Sequence, residues 1–138
     1  MDLVHDFAYP LTTAVIGAML GMPTEDLHRV QPWAEGVAPI MFMTLGEKDR
    51  YKRARVQLDD MAEYFGALLR ERHHSPRDDL MTALAEAAAC GELTEREVIA
   101  TAMVVIFGGH ETTKDLLGNG VLALLRDGDA RAQLQENP

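Results

Sequence analysis

The sequence predicts an all-α chain, and three observations carry that prediction. Apolar residues recur at alternating spacings of three and four in several separate segments, the pattern of helices that each turn one face inward. Hydrophobic residues make up 47% of the 138 while aromatic residues reach only 6%, so the core must come from residues such as Ala, Leu and Met. These are good helix formers. Third, the periodic segments are separated by breaks at Gly21 and Pro23, at Pro76 and at Gly91.

Length and charge bound the rest. A chain of 138 residues is one domain's length, and residues 1–138 are read as a single helical domain. The formal charge of −9 argues against nucleic acid and against an anionic membrane surface as partners. It suits docking to a basic protein, and it also suits an ordinary acidic surface. One cysteine allows no intramolecular disulfide, which points to a reducing, cytoplasmic setting. Met1-Asp2 opens without the basic and apolar regions of a secretory signal.

In chain order, Asp2 to Leu20 reads as helical, with Pro10 suited to a first turn and Leu11, Val15, Ile16, Met19 and Leu20 at helical spacing. Thr24 is an N-cap for a second helix reaching about Ala34, with Glu25 and Asp26 in its first turn and Trp33 as its apolar anchor. Gly36 to Gly46 is apolar and uncharged, holding Val37, Ile40, Met41, Phe42, Met43 and Leu45. It is either a loop that covers something or further helix completing the core. From about Glu47 to Arg72, Tyr51, Ala54, Leu58, Met61, Phe65 and Leu68 form one stripe, while Lys48, Arg50, Lys52, Arg53 and Arg55 concentrate positive charge at the unfavourable end of the helix dipole. An acidic partner or a solvated face accounts for that run.

His73-His74-Ser75-Pro76 breaks the pattern. The adjacent histidines lack a third ligand at defined spacing, so a solvated loop is expected there and no metal site. Asp78 is read as the cap of a short helix from Asp79 to Ala89, closed by Gly91, and Cys90 as a small buried or half-buried residue. The next helix begins at Glu95: Thr94 can cap it, Glu97 can return the bond, and Leu93 and Val98 take the staple positions. No charge interrupts Val98 to Gly109, so Val104, Val105, Ile106 and Phe107 are expected to be buried. That stretch is too short to span a bilayer. The pattern resumes through Leu125, giving about 50 Å of helix at 1.5 Å per residue before Gly128 offers a stop. Ala130 to Gln135 reads as a last short helix.

Inside the long helix, Phe107-Gly108-Gly109-His110-Glu111-Thr112-Thr113 is where chemistry is concentrated. Two adjacent glycines each cost about 1 kcal/mol relative to Ala, so something requires the missing side chains. Close approach of a flat group is one reason; a tight crossing by a neighbouring helix, with Glu111 merely solvated, is the other. Thr112 can return its hydroxyl to the Gly108 carbonyl, loosening the helix beside an acid. Other motifs fail. Lys114 stands where a zinc-protease helix needs its second His, the glycine before lysine of a phosphate loop is missing, and no Gly-x-Ser-x-Gly elbow exists.

Gly-Gly-His-Glu-Thr-Thr after a long apolar helical run closely resembles the central helix of the cytochrome P-450 haem-thiolate monooxygenases, and Asp2-Leu3-Val4 through Leu20-Gly21-Met22-Pro23 resembles an earlier helix of bacterial members. The resemblance implies that Gly108, Gly109 and Thr113 bind the cofactor, and that Glu111 and Thr112 are the catalytic acid and alcohol supplying protons for oxygen activation. It also implies that Met41 and Phe42, in a connection over the substrate, join Val105 and Phe107 around a small hydrophobic molecule. His110 is expected at the surface or in a second layer, and it is the first suspect if haem binds through nitrogen. The family's upstream basic residues, its Glu-x-x-Arg pair and its cysteine loop are missing from these residues. Cys90 has none of that loop's surroundings, so haem is not expected to bind through a thiolate to this chain alone. Three roles stay open: the central part of a monooxygenase that uses a redox partner, a truncated relative that binds small molecules or acts as a scaffold, or a relative with non-oxidative chemistry. A bare apolar face near Met103, Phe107, Leu116 and the two glycines predicts a homodimer or a tightly held apolar ligand.

Overall fold

The computed structural model describes residues 1–42 and 49–136. Part of the Gly36 to Gly46 segment, the predicted helix start at Glu47, and Asn137-Pro138 lie outside them. Every regular element among the described residues is helical: a π-helical opening Leu3–Ala8, α1 (Tyr9–Leu20), a 3₁₀ stretch Thr24–Arg29, α2 (Val30–Met41), α3 (Arg50–His74), α4 (Leu80–Ala89), α5 (Glu95–Arg126) and α6 (Gly128–Glu136). The chain is all-α, as its periodicity requires.

Local chemistry sets most of these boundaries. Asp2 accepts hydrogen bonds from the backbone N–H groups of Val4 and His5, both at 2.9 Å, which opens the first helix. Gly21 closes α1 in the left-handed region at φ 73°, and the Met22 N–H donates back to the Gly17 carbonyl at 2.8 Å. A side chain at Gly21 would also strike the Asp79 carboxylate at 2.0 Å. That carboxylate belongs to a buried node: the Arg72 guanidinium, 1% exposed, donates to Asp79 at 2.6 Å and to the Gly21 carbonyl at 2.7 Å. Asp79 in turn caps α4 by accepting from the Thr82 N–H at 2.8 Å. Burial pushes the Asp79 carboxyl up, but the bonds from Thr82 and Arg72 outweigh it and hold the group below the usual carboxylate range. The ends of α1, α3 and α4 are thereby tied at one point.

The 3₁₀ stretch and α2 fold onto α3 through a second polar cluster. Trp33, 2% exposed, donates its indole N–H to Asp60 at 2.5 Å, Arg29 reaches the other oxygen at 2.6 Å, and the Tyr64 hydroxyl donates to Asp26 at 2.9 Å. Gly36 permits the contact, since a Cβ there would meet Gln57 Cγ at 2.3 Å. The apolar segment after Gly36 is thus helical as far as Met41.

The start of α5 is the expected reciprocal cap, with the Glu97 N–H donating to Thr94 Oγ1 at 3.2 Å and the Thr94 N–H donating to Glu97 Oε2 at 2.8 Å. Val98, Ala102, Ile106 and His110 are its buried residues, one row at intervals of four. Val98, Ala102 and Ile106 pack with Ile16, Leu20, Trp33, Met61, Phe65, Leu68 and Met81 in the core.

Several expectations need correction. Val104 is 71% exposed, and Val105 and Phe107 are only half-buried, because α1 and α3 cover one side of α5 and Val104 stands on the other. Tyr51 is 65% and Leu58 38% exposed, so of the expected stripe on α3 only Ala54, Met61, Phe65 and Leu68 are buried. Cys90 is exposed at the end of α4. α3 continues through His73 and His74, both exposed on its last turn. Asp79, not Asp78, caps α4. Gly128 begins α6 instead of stopping α5: Asp127 turns extended and accepts from the Asp129 and Ala130 N–H groups at 3.1 and 3.0 Å. By length and composition alone, Leu3–Leu20 is apolar enough to cross a bilayer. Here it buries Ala8, Thr12, Thr13, Ile16, Gly17 and Leu20 within the protein.

Candidate functional site

Three faces of α5 meet three different environments within one turn. On the first face, Val104, Gly108 and Thr112 follow each other at intervals of four and so lie in line. Together with Met103 and Phe107 they form one wall of an apolar cavity of about 460 Å³, within the range of small-molecule sites, and Met41 and Phe42 form part of the opposite wall. The rings of Phe42 and Phe107 stand 6.2 Å apart. Thr112 donates its hydroxyl to the Gly108 carbonyl, as its spacing predicted. A Cβ on Gly108 would meet nothing within 4 Å, so this face is open to the approach of a flat group.

The second face meets α1. A Cβ on Gly109 would lie 2.5 Å from Ile16 Cδ1 and 2.9 Å from Ile16 Cγ1, so this glycine admits α1. Thr113 lies beside it, in a groove shared with Leu11, Val15, Met19 and Leu117. Gly109 therefore serves the tight helix crossing, while Gly108 leaves its own face unobstructed.

The third face is polar. Lys114 Nζ donates to Glu111 Oε1 at 2.7 Å and stands 3.5 Å from Asp115. Glu111 and Lys114 are about one-fifth exposed, and they line a cavity of about 160 Å³ with His5, Tyr9, Gln31, Glu35 and His110. Burial works against charge on Lys114, but the bond to Glu111 more than compensates and raises its pKa above the ordinary lysine value. A cavity of that size with this many polar partners suits water.

His110 meets only one half of its expectation, the second layer. It is 1% exposed, not a surface residue. Its Nδ1 lies 3.0 Å from the Thr12 hydroxyl and 3.2 Å from that of Thr13, and the Tyr9 ring meets it edge-on at 4.9 Å. Burial lowers its pKa below the ordinary histidine value, with Glu111 opposing that shift. Two signals in the sequence mark this site: His110 continues the buried row of α5, and Thr12-Thr13 places two hydroxyls on α1.

Of the other expected site residues, Met41, Phe42, Phe107, Gly108 and Thr112 come together around the apolar cavity, whereas Val105 packs half-buried against the core. Haem fits one face of this arrangement, because Gly108 leaves room for a plane, the flanking walls are apolar and Thr112 adds a hydroxyl. A thiolate is not among the cavity's residues, and among the described residues no group of three or more His, Cys, Asp or Glu side chains could hold a metal ion.

Known proteins match this arrangement over the whole chain. The Cytochrome P-450 family model matches residues 28–137. The biotin biosynthesis cytochrome P-450 of Bacillus subtilis (strain 168) is 33% identical over 138 residues, covering 100% of this chain and 35% of that protein. Nocardicin C N-oxygenase of Nocardia uniformis subsp. tsuyamanensis is 36% identical, covering 99% of this chain and 33% of its own length. Among solved structures, P-450BioI in complex with hexadec-9Z-enoic acid ligated acyl carrier protein superposes with a TM-score of 0.92 at 30% identity, covering 100% of this chain and 35% of that one. A myxobacterial cytochrome P-450 in complex with myristic acid gives 0.87 at 35% identity, covering 100% and 34%. The chain spans about a third of the length of these relatives. With its family model, its relatives and its fold in agreement, the chain belongs to the cytochrome P-450 family.

Proposed function

We propose that this chain is the proton-handling and substrate-covering part of a haem-thiolate monooxygenase acting on a small apolar molecule. One observation carries the reading: α5 places the Thr112 hydroxyl toward an apolar cavity and the Glu111 carboxylate toward a separate polar one. Gly108 and the apolar residues beside it would hold haem, which would supply the oxygen chemistry. Thr112 then contributes a hydroxyl that accepts and donates, held by the Gly108 carbonyl when at rest. Glu111 takes protons from the polar cavity and passes them toward Thr112, with Lys114 retaining the carboxylate between transfers. Gly109 and Thr113 fix the helix against α1, so their part in holding the cofactor is indirect. Phe42 and Phe107 confine the substrate. The apolar lining suits an acyl chain, as do the fatty-acid complexes of the relatives.

The thiolate and the redox partner come from outside this segment. Haemin added to the chain is therefore expected to give no thiolate-type carbon-monoxide band after reduction, and a stoichiometric band would assign a ligand role to Cys90. In haem-loaded protein carrying this segment, Glu111→Gln is expected to slow turnover by about 10²-fold, the usual worth of a positioned proton donor. Turnover within twofold of the unsubstituted protein would remove Glu111 from the mechanism.

A second reading, an apolar-ligand binder that works without haem, draws on the same 460 Å³ cavity. Val104, 71% exposed beside Met103, Phe107 and Gly108, leaves apolar surface on this side of α5 and favours a homodimer or a held apolar ligand there. The acidic surface and the buried face of α1 favour a cytoplasmic setting without nucleic-acid or membrane partners. Light scattering of the purified chain decides the dimer: a ligand-free monomer at micromolar concentration excludes it.

A further inference from the structure

The buried imidazole of His110 takes no part in the proton path above, although it adjoins the acid that does. Its two nitrogens face different elements. Nδ1 lies at 3.0 and 3.2 Å from the hydroxyls of Thr12 and Thr13 on α1, and the Thr12 hydroxyl is also 3.2 Å from the Tyr9 carbonyl. Nε2 lies 3.9 Å from Glu111 Oε2.

Hydroxyls can donate or accept, so the threonines alone do not decide which nitrogen carries hydrogen. Glu111 does decide it. A bare Nε2 lone pair facing a carboxylate oxygen is repelled, whereas an N–H there is attracted, so Nε2 carries the hydrogen and the single Nδ1 lone pair accepts from one of the two threonine hydroxyls, Thr13 whenever Thr12 donates to the Tyr9 carbonyl. The carboxylate is then bracketed: Lys114 binds Oε1 at 2.7 Å, and the imidazole N–H stands beside Oε2 beyond hydrogen-bonding distance. Oε2 is steered yet still free to accept a proton from water.

We propose that His110 is a positioning residue for Glu111: anchored on the Thr12 and Thr13 hydroxyls, it turns Nε2–H toward Oε2 and sets the direction of the carboxylate. This rests on Glu111 being the proton carrier for its purpose, but not for its geometry.

The test uses nuclear magnetic resonance of the isotopically labelled chain without haem, so its outcome is independent of turnover. Imidazole ¹⁵N shifts are expected to show His110 neutral with hydrogen on Nε2, and the Glu111 carboxylate ¹³C resonance is expected to move in His110→Phe. His110→Gln, whose amide can stand near Nε2, should bring that resonance back. His110→Asn, whose amide stands near Nδ1, should recover the melting temperature without restoring the resonance. Hydrogen on Nδ1 overturns the proposal, as does an unmoved Glu111 resonance in a folded His110→Phe chain. Recovery by Asn equal to that by Gln would reduce His110 to an interhelical bond. If His110→Phe does not fold, the hydrogen's position in the unsubstituted chain decides.

Discussion

Gly108 and Gly109 are neighbours in one helix, yet their surroundings have almost nothing in common. Gly109 presses on Ile16 at a crossing where the next residue, His110, is sealed between two threonines and a tyrosine ring. Gly108 faces open space beside an apolar cavity and a threonine hydroxyl. Identical residues here answer to opposite demands, one to packing and the other to vacancy. The packed side holds the helix still and keeps His110 beside Glu111, so that the open side can present a fixed hydroxyl. The proton path we propose across α5 would need both conditions within one turn.

Overfilling the packed side should have the largest effect on stability. Gly109→Val introduces branched carbon where even a Cβ is 2.5 Å from Ile16 Cδ1, and a cost of about 3 kcal/mol is expected, read as a lower denaturation midpoint. Truncating Ile16 in the same chain should recover part of that loss, because the two side chains contest one space. If the double variant is no better than additive, the clash lies elsewhere.

The buried imidazole supplies the next test. The folded-state pKa of His110 lies below its ordinary 6.5 because burial disfavours the cation. The unfolded chain therefore binds the proton first as pH falls, so this contribution to stability is complete above about pH 6.5 and declines below it. Urea midpoints measured from pH 7.5 downward should fall more steeply for the unsubstituted chain than for His110→Gln. Parallel curves would show that the imidazole is not held neutral.

The smallest stability effect belongs to the open side. Val104→Asp changes a residue 71% exposed, so folding should shift by no more than about 0.5 kcal/mol. Binding of a fatty acid to the cavity that Val104 lines should nonetheless weaken severalfold, because a charge then faces an apolar wall. Unchanged affinity would place the ligand elsewhere.

How much of this could be read from the sequence follows from which interactions are local. The start of α5 was legible because Thr94 and Glu97 are three residues apart and complete their bonds within one turn. The return of Thr112 to Gly108 is local for the same reason. Surface and second layer stayed undivided for His110 because its partners lie 97 and 98 residues away, and only the crossing of α1 over α5 brings them together. Val104 misled in the other direction, since an uncharged run states that a helix can be buried all round but not how many neighbours it has. The same gap left the two glycines undivided: which of them meets α1 depends on a rotation of α5 that no short motif encodes.

The most direct measurement is therefore a pair of thermal melts. Gly108→Ala and Gly109→Ala carry the same gain in helix propensity, about 1 kcal/mol, so their difference reports only what each position faces. The account predicts that Gly108→Ala melts above the unsubstituted chain and Gly109→Ala below it. Equal shifts, or the reverse order, would contradict the division of α5 into a packed side and an open one.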